Sequence, residues 1–231
     1  VLHGRGGCIL PDRLATALRS VHVDAIHLVP GRVARLVRHA AGWTAESTTG
    51  EPLSTEPTAI LAAGTACTRL WPNSRRWLLP ARGQATAFRA TAAISGPRLP
   101  ISGGGYITPA IDGIHWAGAT LQRGDTDPLP RAEDDRTNLE FARTCLGLDE
   151  VPDPLDRFVG FRATTPNRIP LVGRLAEHLW ITAGHGAHGL LTTPLAAHLL
   201  ADALEGRHHP LLRLLDPETR RDGHPTDANL K

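Results

Sequence analysis

Three glycines near the C-terminus, Gly184, Gly186 and Gly189, spell G-x-G-x-x-G between a strand-like run, LWITAG, and a helix-like run from about residue 190 to 205. Glycines so spaced let a chain turn tightly, bring bare backbone to a ligand and pack a helix closely on its strand, as in a dinucleotide cradle. The surroundings argue against that use. Such a cradle opens a βαβ unit of roughly 30 residues, with an acidic residue about 20 residues on. Here the helix runs to Gly206 and the chain then turns polar. His185-x-x-His188 inside the turn has no third ligand nearby in sequence, so zinc is disfavoured. No Ser/His/Asp set or carboxylate pair stands out by spacing. One more segment has suggestive chemistry: TRLWPNSRRWLLPAR interleaves Arg69, Arg75, Arg76 and Arg82 with Trp71 and Trp77. Those types pair phosphates and stack bases. The competing and favoured reading is an interdomain crossing with buried tryptophans and solvated arginines.

Composition sets the frame. A chain of 231 residues, 41% hydrophobic and 21% charged, can bury a sizeable core in one large domain or two interleaved ones. No apolar run approaches the roughly 18 residues of a membrane span, and no signal-peptide layout is present, so a cytoplasmic protein without membrane contact is expected. Cys8, Cys67 and Cys145 are odd in number and far apart, which argues against a disulfide framework. A net charge of +2 does not by itself announce a nucleic-acid binder. Lys231 is the only lysine, a bias that suits phosphate recognition but is read as codon usage. The opening VLHGRGGCIL reads as a strand already under way, and a fragment is expected.

The elements follow from periodicity and punctuation. Pro11 with Leu14 and Leu18 marks a short amphipathic helix over 11–20. AIHLV, RVARLV and WTAES read as strands, TTGEPLSTEP as a loop, and TAILAAG as a strand buried on both faces. From Pro80, RGQATAFRA, GGGYITP and GIHWAGATL form an antiparallel meander. A helix over 134–146 has an acidic first turn that suits its dipole. FVGFRATT is a strand, PNRIPLVG a turn, and the last helix carries Ala196, Leu199, Leu200, Ala203 and Leu204 as one stripe. The tail from Asp216 lacks periodicity and is expected to be disordered.

Four of these pieces, taken in order, resemble the FAD-dependent amine oxidases of the D-amino-acid oxidase and glycine oxidase class: AILAAG, PARGQ, GFRATTPNRIPLVG and AGHGAHGLLTTP. GRGGCILPDRL and GGYITPAIDGIHWAGATLQRGDTDPLPRAEDDRTNL resemble more narrowly the oxidoreductase part of the bifunctional tRNA 5-methylaminomethyl-2-thiouridine biosynthesis (MnmC) proteins. The resemblance implies a mixed α/β (α+β) fold, a partial FAD-binding domain interleaved with an antiparallel-sheet substrate domain. The expected borders are 1–79 for the first part of the FAD domain, 80–157 for the substrate domain, 158–215 for the last part of the FAD domain and 216–231 for the tail. The pyrophosphate-binding βαβ of the class is not present in these residues.

By the same resemblance FAD is the cofactor, and Val33, Ala63 and Gly64 (after Ala62) lie along it. His185, Gly186, Ala187, His188, Gly189, Leu190 and Leu191 line the flavin ring, mainly through backbone. Helix-start N–H groups there favour the anionic pyrimidine edge of reduced flavin. Arg162, with Arg168 as competitor, takes the carboxylate-binding place, and Tyr106 faces substrate. Asn167 departs from the acidic residue many relatives have in that turn. The implied reaction removes the carboxymethyl group from 5-carboxymethylaminomethyl-(2-thio)uridine at the tRNA wobble position, with tRNA as partner and a fused or separate methyltransferase alongside. Oxidation of free glycine, sarcosine or D-amino acids is the alternative enzyme, and an inactive fragment or binding module the non-enzymatic one.

Overall fold

The computed structural model describes residues 7–91 and 98–219. The start of the expected opening strand and most of the expected tail lie outside them. Among the described residues the helices are α1 (Pro11–Val21), α2 (Cys67–Leu70), α3 (Ala132–Leu146), α4 (Gly189–Leu204) and α5 (Pro210–Leu215). The strands are β1 (Arg35–His39), β2 (Gly42–Glu46), β3 (Pro52–Glu56), β4 (Ala59–Leu61), β5 (Leu79–Arg89), β6 (Ile101–Ser102), β7 (Tyr106–Ile107), β8 (Ile114–Gly118), β9 (Gln122–Arg123), β10 (Asp156–Thr164), β11 (Leu171–Ala176) and β12 (Leu179–Ala183). None of the helices is long and apolar enough to cross a membrane. The chain divides into two compact units, Val1–Leu28 with Ala81–Phe161, and Val29–Pro80 with Arg162–Lys231. Residues 1–28 thus group with 81–161, whereas the sequence reading joined 1–79.

In the first unit the expected meander is a sheet in the order β10-β5-β8-β7-β6, with β9 also on β5. Antiparallel register sets Ala85 and Tyr106 on either side of Gly118, and Phe88 opposite His115. Alternation along β5 sends Arg82, Gln84, Thr86 and Phe88 to one face. At the Phe88 end, Ile107, Ala117, Leu139 and Ala142 make an apolar core with α3. At the other end the packing is polar. The Arg82 guanidinium, wholly buried, reaches Asp134 at 2.5 Å, Gln84 at 3.1 Å and the carbonyls of Asp127 and Leu129 at 2.9 and 2.6 Å. Asp135 accepts from Gln84 and Thr86, each at 2.8 Å, and from Arg157 at 2.5 Å. The acidic first turn of α3, expected to serve the dipole, therefore also supplies Asp134 as the counter-charge of the buried Arg82.

In the second unit β1, β2 and β3 form a meander, so part of the expected loop TTGEPLSTEP is a strand, paired with β2 through Thr44↔Thr55. A second sheet runs β11-β12-β4. β11 and β12 are an antiparallel hairpin, so the expected turn PNRIPLVG ends in a strand from Leu171. β4 joins β12 in parallel, with Ala59, Ile60 and Leu61 opposite Leu179, Trp180 and Ile181. Leu61, Leu171, Leu179 and Ile181 pack with Trp43, Cys67 and Leu78, while Val172 packs with Ala196 and Leu200 of α4. Two expectations fail at edges. Among the described residues TAILAAG is an edge strand rather than one buried on both faces, and Ile60 is 46% exposed. AIHLV forms no strand, because no ladder partner satisfies its backbone among the described residues. α4 contains Pro194 within its span.

Truncating Arg82 would leave the Asp134 carboxylate buried without its counter-charge, with the Gln122 amide as its remaining donor at 2.7 Å. Removing one member of a buried pair costs about 3–5 kcal/mol, whereas replacing both members by apolar groups can be near neutral. Urea denaturation should show Arg82→Leu losing that much, with Arg82→Leu/Asp134→Leu recovering much of it.

Candidate cofactor and substrate site

The parallel pairing of β4 with β12 assembles the main cluster. With Leu61 opposite Ile181, both strands end at one edge of the sheet, so Ala62–Gly64 and the turn from Gly184 leave it side by side. Open α/β sheets bind ligands beyond the C-terminal ends of their strands. Ala62, Ala63 and Gly64 are exposed there. Gly64 and Gly186 both have φ +55° with open space where a side chain would be, so each presents bare backbone. Gly184 has a different task. At φ +75° it is buried, and a Cβ would stand 2.7 Å from Thr165 and 3.1 Å from Leu78. Gly189, at φ −55°, is simply the start of α4, where a Cβ would make ordinary contact. Ala187 and His188 are exposed, and no side chain caps α4. Its first turn instead displays Leu190 and Leu191, 61% and 77% exposed. Uncapped N–H groups beside bare glycine and exposed leucines suit a flat ring with an anionic edge.

The His185 side chain is otherwise engaged. Its Nε2 lies 2.9 Å from Thr182 Oγ1 and its Nδ1 2.8 Å from Thr192 Oγ1. Burial pushes its pKa below the ordinary histidine value. The threonines, three residues before and seven after, were not singled out in the sequence, because their spacing matters only once a strand end folds against a helix start.

Val33 joins this unit through Arg69 of α2, which donates to the Val33 and Ala34 carbonyls at 2.9 and 2.8 Å. Arg69 and the buried Arg82 are therefore spoken for. Trp71 and Trp77 pack against the core, and Arg76 lies over the Trp77 ring at 5.3 Å. Of the basic and aromatic segment, Arg75 and Arg76 face solvent. Both tryptophans are thus half-buried against the core, which favours a packing role for them over a base-stacking surface.

Arg162 is half-buried on β10, and its guanidinium has no hydrogen-bond or ion-pair partner among the described residues. Arg168 instead sits exposed in the following turn at φ +61°. That turn closes by Arg168 N–H to the Thr165 carbonyl at 3.2 Å and by Ile169 N–H to Asn167 Oδ1 at 3.1 Å. Asn167 thus accepts from the turn's backbone as a carboxylate in its place could. In the other unit Tyr106 is half-buried opposite Gly118, where a Cβ would stand 3.3 Å from the Tyr106 hydroxyl and 3.1 Å from Ala85. Gly118 leaves room for the phenol across the sheet.

The family model described as DAO, FAD dependent oxidoreductase, matches residues 1–203. The chain belongs to this family. Among curated relatives, it is 35% identical over 228 residues to the tRNA 5-methylaminomethyl-2-thiouridine biosynthesis bifunctional protein MnmC of Aromatoleum aromaticum, covering 90% of this chain and 36% of that protein. The same protein of Azoarcus sp. is 35% identical, with 93% and 37% covered. The chain thus spans little more than a third of those relatives. Among solved structures, iminodiacetate oxidase from Chelativorans sp. BNC1 matches with a TM-score of 0.71 at 22% identity, over 89% of this chain and 58% of that one. Glycine oxidase from Geobacillus kaustophilus matches at 0.63 and 23%, over 78% and 49%. These likenesses show the oxidase fold, and the mixed α/β expectation holds.

Gly184→Ala combines a left-handed backbone with overpacking against Thr165 and Leu78, so a loss of about 2–4 kcal/mol in denaturant titration is expected. Gly189→Ala should be neutral or stabilising, since alanine favours helix. For His185 the unfolded chain takes up a proton near the ordinary value of about 6.5, and the folded chain takes it up lower. The unfolded state therefore binds more protons between the two values, and stability contributed here is full above the higher value and falls as pH is lowered toward the lower one. His185→Asn should flatten the slope of stability against pH in that window, measured by urea midpoints from about pH 7.5 to 5.

Proposed function

We propose that this chain is the oxidoreductase part of a tRNA-modifying enzyme. In this reading it removes the carboxymethyl group of 5-carboxymethylaminomethyl-(2-thio)uridine at the wobble position. The observation that carries the reading is Arg162, a half-buried arginine whose guanidinium donors are unclaimed by protein among the described residues. A planar fork in that state is suited to a carboxylate, which it holds by two parallel charge-assisted bonds. The substrate side chain is a glycine substituted on nitrogen, so it carries such a carboxylate. The names of the MnmC relatives supply the tRNA.

FAD, when bound, would supply a two-electron oxidation of the C–N bond between the glycine-like nitrogen and its CH2. The residues fit it in the second unit: bare backbone at Gly64 and Gly186, exposed Ala63, and the uncapped start of α4 from His185 to Leu191. Val33 contributes its N–H, since Arg69 already holds its carbonyl. The N–H groups of the turn favour negative charge. Arg162 would hold the substrate carboxylate in one orientation, and Tyr106 of the first unit is the residue proposed to face substrate. With the amine neutral, the two-electron oxidation by bound FAD would need no general base from the chain, and water would then split the resulting imine into glyoxylate and the aminomethyl nucleoside. A methyltransferase, fused or separate, would act on that amine.

The complete enzyme should release glyoxylate from modified tRNA far more efficiently than from glycine or sarcosine. Equal turnover of the free amino acids would replace this reading with a free amino-acid oxidase. Arg162→Ala should cost about 2–5 kcal/mol in kcat/KM, because a desolvated carboxylate loses its partner, and Arg162→Lys should recover little of it. Flavin content should be normal in both variants.

A further inference from the structure

The protons around His185 can be assigned from its partners alone. The His188 carbonyl only accepts, and it lies 3.0 Å from Thr192 Oγ1. Thr192 has a single hydroxyl proton and gives it there. Its oxygen must then accept from His185 Nδ1 at 2.8 Å, so Nδ1 carries a proton. The ring is half-buried and has no acidic partner among the described residues, which favours the neutral form. Nε2 is therefore bare, and Thr182 donates to it at 2.9 Å. The result is a one-way chain of three hydrogen bonds from the end of β12, through the ring, to the first turn of α4 and back to the carbonyl before it. It spans the Gly184–Gly189 turn, where a side chain added at Gly186 would meet nothing within 4 Å, so among the described residues no packing from that side holds the turn.

We propose that Thr182 and Thr192 are positioning residues that clasp His185 as the neutral Nδ1–H tautomer and so fix the shape in which the turn presents its N–H groups. The clasp stands on its own geometry; its consequence for flavin rests on the reading given under Proposed function. His185 therefore acts through its neighbours rather than as a ligand, and the clasp adds no charge beside the turn. A valine at 182 or 192 keeps the size of the side chain and removes the hydroxyl.

Long-range 1H–15N spectra of the flavin-loaded protein with 15N-labelled histidine test this, with the His185 signal identified by its loss in His185→Gln. Nδ1 should be protonated and Nε2 bare at about pH 7.5, above the ordinary histidine range. Thr192→Val should disturb that signal and the amide signals of 184–189, weaken flavin retention about tenfold, as one unmade hydrogen bond does, and shift the flavin midpoint potential. Thr192→Ser should restore all of these. A ring protonated on Nε2, or signals of the turn unchanged in Thr192→Val, would overturn the clasp. If the tautomer and the disturbed turn are found while flavin retention and potential stay constant, the clasp stands and the flavin assignment of the turn fails instead.

Discussion

Three residue pairs between β4 and β12 are the constraint on which the cofactor-facing part of this protein depends. Parallel strands cannot be joined by a tight turn, and here Leu61 meets Ile181 only after the intervening chain has built another unit. That pairing is short, so it is held from the side by burial of Leu61, Leu179 and Ile181 in one apolar cluster. Each such side chain contributes about 1.5–3 kcal/mol when fully buried. Two turns distant in sequence thereby leave the sheet at the same edge. Ala63, Gly64 and the Gly184 turn leave the sheet together for that reason.

The two units solve their packing differently. In the second, hairpin β11–β12 separates two apolar clusters, one containing Trp43 and the other lying under α4. In the first, half of the sheet face under α3 is polar, and it is satisfied bond by bond around Arg82 and Asp135. Such a network stabilises little beyond what an apolar core would, but it admits one register. A slip of β5 by one residue would turn Arg82, Gln84 and Thr86 to the opposite face and take their donors from Asp134 and Asp135, leaving only Gln122 on the first and Arg157 on the second.

Much of this was legible in the chain. The helices over 11–20, 134–146 and 190–205, the antiparallel meander and the family follow from periodicity, from Gly and Pro punctuation, and from ordered motifs. What was not legible depends on partners remote in sequence. AIHLV has the composition of a strand but no ladder, PLSTE has the composition of a loop but pairs with β2, and Ile60 is apolar yet at an edge. Within the site, the glycine motif showed where backbone would be bare, but not that Gly184 is required by packing while Gly186 faces open space. The arginines of the tryptophan-rich segment looked alike in sequence. Only the fold separates Arg69, which holds the Val33 and Ala34 carbonyls, and Arg82, which is buried, from the exposed Arg75 and Arg76.

Pro194 has no N–H, so the Leu190 carbonyl lacks its donor four residues on, and the hydrogen-bond ladder of α4 is interrupted between its first turn and its body. The body, with Ala196, Leu199 and Leu200 buried, answers to the core. The first turn, with Leu190 and Leu191 outside, does not. One helix is thus partitioned into a first turn whose side chains are free of the core and a body that the core fixes.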